Sequence, residues 1–208
     1  MSRPALPDLR AFIDSLRRSG DLATIEVPVS ANQEVAEIHR RVIAAGGPAL
    51  LFTNVEGSAF PLVTNLFGTS GRAQRAFGER PFELIRRLVA TAETLFPLSA
   101  GKLWQARDLG LQLLRTGTRQ RRTGSVTENL TREVDLNGLP VVTSWPQDGG
   151  PFLTLPLVYT EHPDGRGHNL GMYRLQVHSP TTTGMHWQIG KGGGFHYRVA
   201  EQRDRPLP

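Results

Sequence analysis

The chain has 208 residues, of which 38% are hydrophobic and none is cysteine. A chain of this size can bury one large core or two small ones. The absence of cysteine excludes disulfides, thiolate zinc sites and cysteine nucleophiles. Its formal net charge of +5 and pI of about 10.4 indicate acidic partners, among them nucleic acid, phosphorylated cofactors and carboxylate substrates. No apolar run approaches the roughly 20 residues of a membrane helix, and the N-terminus lacks the apolar core of a signal peptide, so the sequence predicts a cytoplasmic protein without an integral membrane segment.

The first half of the chain alternates helical and extended patterns. Residues 8–18 carry apolar side chains at helical spacing, and Gly20 follows as a helix end. Strands are predicted over 22–29, 49–52 and 61–66, and further helices over 33–45, 71–77, 81–95 and 103–114. This alternation predicts an α/β module.

A basic run from Arg115 to Arg122 follows the last of these helices. It has no interleaved aromatic residues on which bases could stack, so a solvated helix end and linker is favoured over a nucleic-acid patch. Beyond it Gly, Pro and Thr become frequent, and short β-like runs lie over 153–159, 169–177 and 184–188. We therefore predict an α+β protein with an N-terminal α/β domain over 1–122 and a β-rich barrel or sandwich over 123–208.

Polar side chains with different chemistries are concentrated in the second of these domains. If 169–177 is a regular strand, Asn169 and Tyr173 face one side while Met172 and Arg174 face the other. A bulge or bend at Gly171 would be needed to turn Asn169 and Arg174 toward one ligand.

Two further groups lie close by in the sequence. One hairpin later, His186 and Gln188 can share a face. Lys191-Gly192-Gly193-Gly194 then predicts a glycine-rich turn whose N–H groups and lysine approach an anion. A lone histidine is more often a satisfied hydrogen-bonding residue than a ligand, and His168, His178 and His196 are interpreted in that way.

These segments resemble the UbiD-type decarboxylases, a family that includes 3-polyprenyl-4-hydroxybenzoate decarboxylase and the ferulic acid decarboxylases. The resemblance is carried by residues 169–174 (NLGMYR), 182–188 (TTGMHWQ) and 191–193 (KGG), in the order and near the spacing of the family. Weaker support comes from residues 8–12 (DLRAF) and 64–69 (TNLFGT). The resemblance implies an N-terminal α/β domain followed by a split β-barrel that binds a flavin.

The resemblance also implies cofactors and roles for individual residues. The cofactors are prenylated FMN, Mn²⁺ or Mg²⁺, and K⁺, with a flavin prenyltransferase as the source of the modified flavin. Asn169 would be a metal ligand, with His186 as a second one, and Arg174 would be the catalytic group that meets the substrate carboxylate. The cofactor would be bound by Met172, Tyr173, Arg174, His186, Trp187, Gln188, Lys191 and Gly192.

The residue types suit this chemistry. Decarboxylation leaves carbanion character that needs an electron sink, which a modified flavin can supply. An arginine fork holds a carboxylate by two charge-assisted hydrogen bonds. Carboxamide and other oxygen ligands suit Mg²⁺ or Mn²⁺ next to a phosphate. The substrate class implied is a small carboxylic acid, either aromatic or α,β-unsaturated.

One departure from the family concerns length. Family members are more than twice as long, and their later part supplies a metal-binding glutamate and the acids that transfer protons. We therefore expect this chain to be the N-terminal part of such an enzyme, to bind cofactor poorly, to be inactive alone and to form homo-oligomers through exposed apolar edges. Two alternatives stay open: a non-catalytic flavin- or phosphate-binding module, and a basic nucleic-acid-binding β-barrel. Of these readings we favour the decarboxylase, without a nucleic-acid partner.

Overall fold

The structure is a computed structural model that describes residues 6–95, 99–114, 123–124, 127–128, 130–188 and 190–208. Helices and strands both contribute, so the predicted α+β class is confirmed. The helices are α1 (Leu9–Arg18), α2 (Glu34–Ala44), α3 (Ser70–Phe77), α4 (Arg80–Leu95), α5 (Ala100–Leu114) and α6 (Gly192–Gln202). The strands are β1 (Leu22–Ile25), β2 (Ala49–Phe52), β3 (Leu62–Thr64), β4 (Phe152–Leu153), β5 (Leu157–Glu161), β6 (His168–Met172), β7 (Leu175–Ser179) and β8 (Thr182–Met185).

The chain divides into two compact units, each built from two separate stretches. One comprises Met1–Ala23 with Asn65–Arg132, and the other comprises Thr24–Thr64 with Glu133–Pro208. The domain boundary predicted near Arg122 and the whole basic run from Arg115 lie outside the described residues, and both stay predictions.

The first unit is helical and contains α1, α3, α4 and α5. Asp8 caps α1 by accepting a hydrogen bond from the Ala11 N–H at 2.8 Å. The helix buries Phe12 and Leu16, as its apolar spacing predicts. Phe67 stacks on Phe12, with ring centroids 5.8 Å apart.

A buried arginine organises the TNLFGT segment of this unit. Arg72 on α3 is only 3% exposed, and its charge is compensated by Asp21, 2.9 Å from Nε, and by the Asn65 carbonyl, 2.8 Å from Nη1. Asn65 has a positive φ of 58°, and a Cβ at Gly68 would lie 1.9 Å from its side-chain oxygen. The segment therefore has a structural role in which the glycine is required by close approach.

The second unit contains β2 and β3, which pair antiparallel in a sheet of order β1-β2-β3, and its first residues, Thr24 and Ile25, are the second half of β1. Its core includes Val35, Ala49 and Phe52. The strand predicted over 22–29 is shorter than predicted and ends at Ile25, before Pro28, which has no N–H to donate to a neighbouring strand.

The later strands form two further antiparallel sheets, β4-β7-β8 and β5-β6. The single strand predicted over 153–159 is wrong, since Pro156 separates β4 from β5. The single strand predicted over 169–177 is also wrong: the chain leaves β6 at Met172 and enters β7 at Leu175, passing from one sheet to the other. This crossing places Tyr173 and Arg174 between the two sheets.

Helix α6 packs on β5 and β6, and the sequence did not predict it. The run of glycines at its start favours a turn, because glycine is a poor helix former. In the structure the run is the first turn of the helix, where large side chains would collide with β6 and with the segment after β8. Packing therefore overrides propensity here.

Candidate functional site

A cleft of about 740 Å³ opens where β6 ends and β7 begins. That volume is within the range of ligand pockets, roughly 300–1,000 Å³. It is lined by Asp148, Gly149, Phe152, Thr154, Met172, Tyr173, Arg174, Gln176, His186, Gln188 and Lys191. Several residues that the sequence predicted as one site thus surround a single space: Met172, Tyr173, Arg174, His186, Gln188 and Lys191.

The remaining predicted residues lie next to the cleft wall. Trp187 packs behind Tyr173, with the rings edge to face and 5.0 Å apart. Gly192 begins α6, and a Cβ placed on it would lie 2.3 Å from Oδ1 of Asn169. Asn169 therefore lies against the start of α6 and does not line the cleft.

The predicted alternation of side chains holds only in part across the break between β6 and β7. Met172 and Arg174 line the cleft and Asn169 does not, but Tyr173, to whose hydroxyl Asn169 donates a hydrogen bond, lines the cleft as well. Gly171 forms no bulge, since it pairs with Val158 in the regular register of β5 and β6. Lys191 lines the cleft and is also the N-cap of α6, so the start of this helix connects Asn169 to the cleft.

The guanidinium of Arg174 is held on two sides. Nη2 donates to Oδ2 of Asp148 at 2.5 Å, and Cζ lies 3.6 Å from the centre of the Phe152 ring. The Arg174 side chain is 36% exposed and that of Asp148 is 12% exposed. The arginine thus keeps one face and its other N–H groups available to the cleft.

Sequence reasoning missed Asp148 and Phe152. Asp148 stands between Pro146 and two glycines, a composition that indicates an ordinary turn. The ion pair is visible only in the structure, where the fold brings Asp148 to Arg174, 26 residues later in the chain.

The N-terminus of α6 and the Lys191 side chain together favour an anion. Lys191 is exposed, and its side chain makes no capping hydrogen bond. The first N–H groups of a helix have no intrahelical partner and lie at the positive end of its dipole. The predicted glycine-rich anion-binding segment is therefore a helix start instead of a turn.

Two buried histidines lie beneath α6. His196 on the helix is 3.0 Å from the Thr160 hydroxyl on β5, so its predicted role as a satisfied hydrogen-bonding residue is confirmed. Burial lowers the pKa of His196, the charge of His162 lowers it further, and a hydrogen bond with the Thr160 backbone raises it. His162 and His196 meet edge to face, with ring centroids 5.2 Å apart.

A complete metal site is not formed by the described part of the chain. Within it, no group of three His, Cys, Asp or Glu side chains is placed to hold an ion. Asn169 offers one carboxamide oxygen close to the start of α6, and His186 lines the cleft that Asn169 does not line. The described residues therefore supply one oxygen ligand, from Asn169, and not a full coordination shell.

Comparison with protein families matches two segments of the chain. Residues 13–92 match the 3-octaprenyl-4-hydroxybenzoate carboxy-lyase N-terminal domain, and residues 118–208 match the Rift-related domain of the same carboxy-lyase, both of the UbiD family. A Chlamydia pneumoniae protein, named as one of the subunits of a 4-hydroxybenzoate decarboxylase, is 48% identical over 200 residues. A Chlamydia caviae protein is 47% identical over 204 residues. These alignments cover 96% and 98% of this chain but only 34% and 35% of the relatives.

Solved structures show the same fold. Vanillic acid decarboxylase of Sedimentibacter hydroxybenzoicus, in its closed form, has a TM-score of 0.74 at 22% identity, covering 99% of this chain and 42% of that one. The UbiD-class enzyme HmfF of Pelotomaculum thermopropionicum, in complex with FMN, has a TM-score of 0.71 at 23% identity, with coverages of 95% and 40%. An evolved dimeric form of HmfF, in complex with prFMN, has a TM-score of 0.68 at 24% identity, with coverages of 95% and 42%. Both domain matches, together with this fold, show that the chain belongs to the UbiD family of carboxy-lyases and spans about a third of the length of its chlamydial relatives.

Proposed function

We propose that this chain is the cofactor-binding, N-terminal portion of a prenylated-FMN-dependent decarboxylase that acts on aromatic or α,β-unsaturated carboxylic acids. One observation carries the proposal: Met172, Arg174, His186 and Lys191 surround a single cleft, at whose edge α6 begins. The relatives support it, since HmfF binds FMN and the C. pneumoniae protein is named as part of a decarboxylase.

Arg174 is the residue that binds the substrate carboxylate in this proposal. Phe152 and Asp148 limit the orientations of its guanidinium, so the remaining N–H groups are directed to the cleft before a ligand arrives. Such preorganisation lowers the entropic cost of binding. When bound, a prenylated flavin supplies the electron sink that stabilises the charge left as the carboxyl group departs.

The phosphate end of the cofactor is assigned to the start of α6. Lys191 supplies a positive charge, and Gly192 allows main-chain N–H groups to approach closely. Met172, Tyr173, His186 and Gln188 would hold the flat ring system of the cofactor along the cleft wall, with Trp187 packed behind Tyr173. Asn169 Oδ1 would supply one ligand to Mn²⁺ or Mg²⁺ beside the phosphate. A role for His186 as a second ligand, K⁺ binding, the prenyltransferase and homo-oligomer formation stay predictions.

The chain alone is proposed to be inactive. Of the described residues that line the cleft, only Asp148 is a carboxylic acid, and it is paired with Arg174. A decarboxylase also needs an acid that returns a proton to the product. That acid is proposed to lie in the part of the longer relatives that this chain does not match.

A flavin titration tests the proposal. FMN fluorescence, measured as the concentration of the 208-residue chain is raised, is expected to show weak binding. Lys191→Ala is expected to weaken the FMN affinity further, on the order of tenfold, because a charge-assisted phosphate contact is lost. Lys102→Ala, at the only other lysine, is the matched control and is expected to change nothing. Equal effects of the two substitutions would place the phosphate elsewhere.

Turnover distinguishes the proposal from a complete enzyme. With prenylated FMN and 4-hydroxybenzoate or an α,β-unsaturated acid, the chain is expected to release no CO₂ above the rate without protein. Turnover by the chain alone would overturn the proposed incompleteness. Tight FMN binding without turnover, even when the part of the longer relatives that this chain does not match is added, would favour the non-catalytic flavin-binding module.

A further inference from the structure

Tyr173 is the most enclosed aromatic residue of the cleft wall, at 4% exposure. Its hydroxyl accepts a hydrogen bond from the Gly193 N–H on α6 at 2.8 Å and one from Nδ2 of Asn169 on β6 at 3.3 Å. Both donors are protein groups, so the hydroxyl oxygen already accepts two hydrogen bonds within the fold. A buried N–H that loses such a partner is destabilising.

The position of the Tyr173 ring is determined by packing on several sides. A Cβ on Gly171 would lie 2.5 Å from Cε2 of the ring, and a Cβ on Gly193 would lie 2.8 Å from its Cζ. Trp187 contacts the ring edge to face. The hydroxyl therefore has one location, between the end of β6 and the first turn of α6.

This location orients the Asn169 carboxamide. A carboxamide has one donor end and one acceptor end. With Nδ2 directed to Tyr173, Oδ1 is directed toward Gly192, where a Cβ would lie 2.3 Å from it. The oxygen, which is the end that can bind a divalent cation, thus lies beside the first-turn N–H groups of α6.

We propose that Tyr173 is a positioning residue whose hydroxyl ties Asn169 to the first turn of α6, so that Asn169 Oδ1 and this turn face the same metal-bound phosphate. The inference rests on the proposed function and adds to it, because the sequence resemblance implied only that Tyr173 lines the flavin. Tyr173 acts through Asn169 and through the placement of the first turn of α6, and it would not contact the ligand through its hydroxyl.

Tyr173→Phe in the full 208-residue chain tests this inference, because it removes one oxygen and keeps the ring. Loss of the hydrogen bond is expected to accelerate hydrogen exchange at the Gly193 amide about tenfold. By nitrogen-15 NMR, the Asn169 side-chain NH₂ signals are expected to shift. The increase in FMN affinity that Mg²⁺ produces is expected to fall about tenfold, since the oxygen ligand is no longer held.

Tyr197→Phe is the matched control. Tyr197 lies on the same helix and stacks on Trp187 with ring centroids 5.8 Å apart, but no hydrogen bond of its hydroxyl is found among the described residues. It is expected to leave all three measurements unchanged. Asn169→Ala is a second variant that is expected to lose the Mg²⁺ effect while the Gly193 amide stays protected.

The outcomes separate this inference from the proposed function. If Tyr173→Phe leaves Gly193 exchange unchanged, or lowers FMN affinity equally with and without Mg²⁺, the positioning role is wrong, whereas the flavin site stands. If the unsubstituted chain binds no FMN at all, the proposed function is wrong. The inferred role of Tyr173 toward a metal-bound phosphate is then wrong too.

Discussion

Arg174 and Asp148 form an ion pair that is only partly exposed to solvent. Its environment differs from that of the pair between Arg203 and Asp164, which is 2.7 Å long with side chains 50% and 22% exposed. Hydrogen bonds to charged groups contribute more to the free energy of unfolding when they are shielded from solvent, whereas exposed ion pairs contribute little. The two pairs therefore allow a direct comparison at the scale of single residues.

Asp148→Asn is expected to lower the free energy of unfolding by about 1–2 kcal/mol, because the guanidinium loses its anionic partner. Asp164→Asn is expected to cost less than about 1 kcal/mol. Urea unfolding followed by circular dichroism measures both. An equal loss for the two variants would show that Asp148 does not hold Arg174.

Gly193→Ala tests the close approach between α6 and Tyr173. A Cβ there would lie 2.5 Å from Cζ3 of Trp187 and 2.8 Å from Tyr173, and overpacking of this kind costs about 1–3 kcal/mol. Gly110→Ala in α5 is the control, since its Cβ would meet nothing within 4 Å. The control is expected to stabilise the chain by about 0.5–1 kcal/mol, so the two substitutions should shift the melting temperature in opposite directions.

At the scale of elements, the attachment of α6 to β5 is expected to depend on the protonation of His196, whose ring lies 3.0 Å from the Thr160 hydroxyl. His196 has a lowered pKa in the folded chain because it is buried, beside His162. A histidine with a lowered folded pKa binds fewer protons when folded than when unfolded. Its contribution to stability is present above the unfolded pKa, about 6.5, and is lost as the pH falls from there through the lowered value.

The stability of the chain is therefore expected to fall as the pH drops below about 6.5. His196→Asn keeps a polar atom near the Thr160 hydroxyl but cannot be protonated, and it is expected to flatten the pH dependence in this window. Melting temperatures at a series of pH values provide the measurement. An unchanged slope in the variant would assign the titration to another group, with His39, whose pKa is also lowered by burial, as the first candidate.

At the scale of the whole molecule, the hairpin of β5 and β6 has one covered and one open face. Thr160 and Asn169 face α6, while Leu157, Tyr159, Leu170 and Met172 are 54–70% exposed on the other face. Exposed apolar faces with free strand edges favour association.

No helix in the described residues is long and apolar enough to cross a membrane.

Self-association of the isolated chain is expected from this face. Light scattering after size exclusion should show species larger than a monomer, and Leu170→Lys should shift them toward the monomer. Val27→Lys, at a position 64% exposed outside the hairpin, is the control and should have no effect. Monomeric behaviour of the unsubstituted chain would contradict the prediction.

The sequence by itself determined the family, the α+β class and many elements of the first half. Helices α1 to α4 begin and end within a residue or two of prediction, because their apolar periodicity and end signals are local. The NLGMYR, TTGMHWQ and KGG segments indicated part of the cleft lining, namely Met172, Tyr173, Arg174, His186, Gln188 and Lys191, but not Asp148 and Phe152.

Only the tertiary structure decided how those residues are arranged and which distant residues they contact. The contact between Tyr173 and Gly193 joins positions 20 residues apart, and the ion pair of Asp148 with Arg174 joins positions 26 apart. Helix α6 begins with glycines because Asn169 on β6 and Tyr173 lie too close to its first turn for larger residues there. Propensity and spacing describe neighbours along the chain, whereas these features depend on which distant segments pack together.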